Sequence, residues 1–108
     1  YVSLAIYLPT AEDTIEAVKK CKERKVPGTR LYQGLPTYAY PFVLNKLTAH
    51  SSGCPFTCPY YKGTPEYRMG MCPKAEDLIS RALFIQVSPL LTNEDIDYIV
   101  KNLKEIIR

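Results

Sequence analysis

Seven of the nine prolines, together with the glycines, fall between Pro27 and Pro73, and this crowding constrains the fold more than any other feature of the 108 residues. Proline fixes φ and removes a backbone donor, so neither a long helix nor a central strand can run through such a region. Regular structure is confined to the flanks. The segment 34–72 reads as one long loop of turns, and an ordered loop of that length in a small domain is commonly a binding or active-site loop.

On the N-terminal flank, Val2, Leu4, Ile6 and Leu8 alternate with Ser3, Ala5 and Tyr7, the period of two of a strand with one face buried. Pro9 ends it. Thr10 followed by Asp13 forms a capping signal, and Ala11, Ile15, Val18 and Cys21 recur at helical spacing, which makes Cys21 a small core residue. Val26-Pro27-Gly28 stops that helix, and Thr29–Tyr32 reads as a second strand. On the C-terminal flank, Pro73 suits the first turn of a helix with Ala75, Leu78, Ile79 and Ala82 on one stripe. Leu83–Val87 is a third strand, closed by Ser88-Pro89. Thr92 with Asp95 caps a last helix carrying Ile96, Ile99, Val100, Leu103, Ile106 and Ile107. The expected fold is α+β, a two-layer sandwich in which helices cover a small sheet of about three strands, as one domain spanning 1–108.

A hydrophobic content of 46% suffices for one core. A net charge of +3 from well-mixed charges argues against nucleic-acid or anionic-membrane partners. No apolar run approaches the ~20 residues that cross a bilayer, and four cysteines beside a plausible core point to reduced thiols in a cytoplasmic protein. The chain opens on Tyr1 and directly enters a core strand, so a fragment of something longer is expected.

Three groups of residues are candidates for chemistry. Cys54, Cys58 and Cys72 with His50 offer four ligands for a Cys3His zinc site, but a structural zinc site ordinarily grips with two close pairs and only one is present. A redox centre needs Cys-x2-Cys at a helix start, and Cys54-x3-Cys58 is one residue too long. These prolines and small thiols instead read as fixing a loop, and no metal is assigned. Tyr32, Tyr38, Tyr40, Tyr60, Tyr61 and Tyr67 concentrate in the loop and its entrance, where tyrosine suits a sugar, an aromatic ligand, a protein interface or packing over the sheet. No catalytic triad, phosphate-cradling loop or paired-carboxylate arrangement is present. A free-standing binding module with a tyrosine-rich loop fits these features too.

The segments Cys72-Pro-Lys-Ala-Glu-Asp-Leu-Ile-Ser-Arg-Ala-Leu and Pro89-Leu-Leu-Thr-Asn-Glu-Asp-Ile-Asp-Tyr-Ile-Val, after the turn Val26–Tyr32, resemble the C-terminal small domain of the DegT/DnrJ/EryC1/StrS sugar aminotransferases, enzymes of the fold type I pyridoxal phosphate class. The resemblance implies a homodimeric enzyme that moves an amino group from glutamate or glutamine to a keto group of a nucleotide-linked sugar or cyclitol. It implies further that pyridoxal phosphate is held by a large N-terminal domain of the same chain, which supplies the Schiff-base lysine; the fragment itself would carry no cofactor and be inactive. By the same resemblance, the turn after the second strand closes the substrate site, which designates Arg30, Tyr32 and Gln33 as substrate-binding. Many relatives carry Gly-Ile-His-Tyr-Pro there, whereas this chain has Arg30-Leu31-Tyr32-Gln33-Gly34, without the histidine. The CPFTCPYYKG insertion resembles a lid over the sugar pocket.

Overall fold

The computed structural model describes residues 2–57, 59–60 and 62–108. Its elements run β1 (Val2–Tyr7), α1 (Ala11–Glu23), β2 (Gly28–Thr29), α2 (Pro41–Leu44), α3 (Pro73–Ser80), β3 (Ala82–Val87) and α4 (Asn93–Ile106), with 3-10 turns at Leu31–Gly34 and Thr37–Ala39. The sheet order is β1-β3-β2, and β3 pairs antiparallel with both neighbours. The fold is α+β, as expected.

Antiparallel register decides which face each residue takes. Leu4 lies opposite Ile85 and Ile6 opposite Leu83, so these four share the face on which α1 and α4 pack. There Leu8, Ala17, Cys21, Val26, Leu83, Ile85, Leu103 and Ile106 form one buried cluster, with Ile6, Val18 and Ile99 against it. Gly28 is opposite Ile85 in the same layer, where an added Cβ would stand 2.6 Å from the Cys21 sulfur, so only glycine lets β2 approach α1 this closely. Both long helices start with full capping boxes: Thr10 with Asp13 and Thr92 with Asp95 exchange side-chain and backbone hydrogen bonds in both directions.

Four sequence expectations are corrected in detail. The second strand is Gly28–Thr29 rather than Thr29–Tyr32, because the backbone turns left-handed at Tyr32 and Gln33 and cannot continue a ladder. Ala82 belongs to β3, not to the stripe of α3, since that helix is capped at Arg81. The buried stripe of α1 is Thr14, Ala17 and Cys21; Ile15 is 52% exposed, and the Thr14 hydroxyl is satisfied by donating to the Thr10 carbonyl at 3.1 Å. The strand face holding Leu4 is only partly covered: Leu4 is 54% exposed and borders a wholly apolar groove of about 190 Å³ with Val87, Ile96 and Val100.

The long loop is a projection. A compact chain of this length would have a radius of gyration near ~13 Å, but this one has 18.2 Å and extents of 55 × 30 × 19 Å. The longest helix, α4 with 14 residues, accounts for only about 21 Å of that. The remainder comes from the arm, where α2, the only α-helical segment among the described residues, packs chiefly on the 3-10 turn before it. Among the described residues no helix is long and apolar enough to cross a membrane.

Candidate functional site

The turn that follows β2 has a constrained backbone. Tyr32 (φ 50°, ψ 35°), Gln33 (φ 56°, ψ 21°) and Gly34 (φ 78°) are successive residues in the left-handed region. For the two that carry side chains this costs on the order of 1–3 kcal/mol each, and such strain concentrates where a side chain must be aimed. Tyr32 and Gln33 are exposed at the tip, while Gly34 is buried at the base.

Arg30 enters this turn from an extended backbone and folds beneath it. Its guanidinium lies against Gly34, where a Cβ would come 2.1 Å from Nη2. Nη2 reaches the carbonyl of Ser80 at 3.5 Å, the last residue of α3, where a cation suits the negative end of the helix dipole. Nε is buried and has no hydrogen-bond partner. A half-buried guanidinium with donor capacity left over is a planar fork suited to an anion such as a carboxylate or phosphate.

An aromatic ladder continues from the turn into the arm. The rings of Tyr32 and Tyr40 meet edge-on at 6.1 Å, and Tyr40 stacks on Phe42 at 5.6 Å with 27° between planes. Tyr32 and Phe42 are each just over half exposed, so the ladder offers flat apolar faces to solvent beside the Arg30 charge. The sequence singled out Tyr40 only as a loop tyrosine and did not distinguish Phe42. An aromatic two residues on from another, with Pro41 between to fix the chain, was the available signal.

Behind the ladder, Glu76 in the first turn of α3 accepts a short hydrogen bond from the Tyr38 hydroxyl and one of 2.7 Å from the Gly70 N–H, both on the same carboxylate oxygen. The Tyr38 bond is the chief reason that the Glu76 carboxyl is held below its ordinary value, burial working against it. Tyr38 is pushed up to about 12, first by desolvation and then by the bond to Glu76. At the other end of α3, Arg81 grips Asp77 with two bonds of 2.7 and 2.9 Å and donates to the Leu8 carbonyl at 2.8 Å, tying the helix to the end of β1.

Among the described residues the remaining candidates are scattered. His50 is exposed and its Nδ1 accepts the Ser52 N–H at 3.1 Å; Cys54 and Cys72 are exposed as well. Among the described residues no three His, Cys, Asp or Glu side chains converge on a metal position. Cys58 and Tyr61, which the zinc and lid readings involve, lie outside the described residues. Cys21 is fully buried and burial pushes its thiol up, as suits a core residue.

A residue that forms an imine with a cofactor must be a lysine shielded from water, with an acidic partner for the ring nitrogen nearby. Each of the nine lysines is exposed or half-buried on a helix face or loop. These residues therefore do not fit the anchoring of such a cofactor.

Residues 46–104, more than half of the chain, match the DegT/DnrJ/EryC1/StrS aminotransferase family. The match covers the outer arm, α3, β3 and most of α4; the left-handed turn and the ladder precede it. No curated protein matches the chain, and no solved structure does. With the match spanning the distinctive C-P-x-A-E segment and the last helix, the chain belongs to the DegT/DnrJ/EryC1/StrS aminotransferase family.

Proposed function

We propose that this chain is the small C-terminal lobe of an aminotransferase and serves the substrate side of its active site. The family it belongs to is generally dependent on pyridoxal phosphate. On this reading the cofactor and its lysine belong to a large N-terminal domain of the same polypeptide, in a homodimer, and these 108 residues alone catalyse nothing. The reaction moves an amino group from glutamate or glutamine to a keto group of a nucleotide-linked sugar or cyclitol.

The observation that carries the reading is the turn at Arg30, Tyr32 and Gln33. It is strained, and it presents two polar side chains above a guanidinium with an unused donor. Arg30 meets a carboxylate or phosphate, Tyr32 offers a face and a hydroxyl to the sugar, and Gln33 donates or accepts beside it. Each of these contacts orients substrate and leaves cofactor loading untouched.

In the full-length protein, Arg30→Ala and Tyr32→Phe should therefore raise KM for the nucleotide-linked sugar while cofactor content stays at the wild-type level. The expected rise is about tenfold for Arg30, the worth of a hydrogen bond to a charged group. Unchanged KM in both variants would remove the turn from the site.

A further inference from the structure

We propose that Glu76 is a positioning residue, a latch whose single carboxylate oxygen clasps both roots of the projecting arm. Tyr38 stands where the arm leaves the body and Gly70 where it returns, and both donate to the same oxygen. The two roots are 32 residues apart in the chain, and bringing such distant points together costs chain entropy, while no described residue of the arm belongs to the buried core cluster. The backbone of Glu76 is held in the first turn of α3, its N–H bonded to the Cys72 carbonyl at 3.0 Å, where negative charge suits the helix dipole.

The clasp acts through Tyr38 on the ladder. Tyr38 closes onto Glu76 two residues before Tyr40, which touches both Tyr32 and Phe42. Holding Tyr38 therefore sets where the aromatic faces stand relative to the left-handed turn, and holding Gly70 prevents the returning limb of the arm from swinging. This role stands on hydrogen-bond geometry and does not depend on which molecule the site accepts.

Hydrogen exchange on the full-length protein tests it. In Glu76→Ala, peptides covering 38–47 and 66–71 should exchange faster by about tenfold or more, the effect of losing two hydrogen bonds to a charged group. Peptides from α4 should keep wild-type rates. Glu76→Gln should restore slow exchange, because its amide oxygen can accept both bonds. Wild-type rates at both roots in Glu76→Ala would overturn the proposal, as would Glu76→Gln exchanging as fast as Glu76→Ala, which would leave only the charge near the helix end as the cause. Should α4 also loosen in Glu76→Ala, Tyr38→Phe decides: it deletes one hydroxyl, and faster exchange over 38–47 supports the latch while unchanged exchange overturns it.

Discussion

Gly34 concentrates the residue-scale physics of the site. Its φ of 78° is strained for any residue with a Cβ, and that Cβ would collide with the Arg30 guanidinium. Gly34→Ala should cost roughly 1–3 kcal/mol in denaturant unfolding, and in the full-length protein it should raise KM as Arg30→Ala does. The Tyr38–Glu76 pair yields a pH dependence with two limbs. A carboxyl held below its ordinary 4.5 stabilises the latch above that pH and loses it as pH falls through the lowered value. A phenol raised from 10 to about 12 contributes fully below pH 10 and loses its contribution as pH rises through about 12. Cys72 also faces Tyr38: its side chain adds electrostatically to the upward push on the phenol, and its backbone bond opposes it. The Gly70 amide resonance should hold steady from pH 5 to 9 and shift only in acid, and the last tyrosine to titrate by ultraviolet absorbance should vanish in Tyr38→Phe; a Gly70 shift at neutral pH would contradict the assignment.

At the scale of elements, the two capping boxes and the close approach of β2 to α1 set stability. Thr10→Ala and Thr92→Ala should each cost about 1 kcal/mol by thermal melting, since each orphans a backbone donor at a helix start. Gly28→Ala should cost about 1–3 kcal/mol, because its Cβ has nowhere to go but into the buried Cys21 side chain. These elements were legible in the sequence because their signals are local: Thr-x-x-Asp followed by apolar residues at helical spacing, and Pro73 opening α3. What local signals could not supply was the exact buried stripe of α1, shifted onto Thr14 and Ala17, because a threonine that donates to its own helix backbone is as easily buried as an isoleucine. The end of β2 was misread for a related reason. Leu31 and Tyr32 have good strand propensity, and only tertiary contacts of Arg30 with Ser80 and Gly34 explain why the chain turns there instead.

At the scale of the whole molecule, body and arm are separable in energy but joined in purpose. Replacing residues 47–67 by a short Gly-Ser linker should leave the melting temperature within a few degrees of wild type, because the buried cluster draws on none of the described residues among them; in the full-length protein the same change should weaken saturation by substrate. The sequence marked the arm as a loop through its prolines, whereas its extension to a 55 Å long axis and its clasp at Glu76 join residues too far apart in the chain for periodicity to report. The family resemblance designated Arg30, Tyr32 and Gln33 but could not show that Arg30 lies beneath the turn and not at its tip. The central claim is that these residues shape a substrate site whose cofactor is anchored elsewhere. Mixing the 108-residue chain with one equivalent of pyridoxal phosphate, reducing with borohydride and mapping the adduct by mass tests it most directly. No stoichiometric adduct should form on any one lysine; a full equivalent fixed on a single lysine would place the cofactor anchor within these residues.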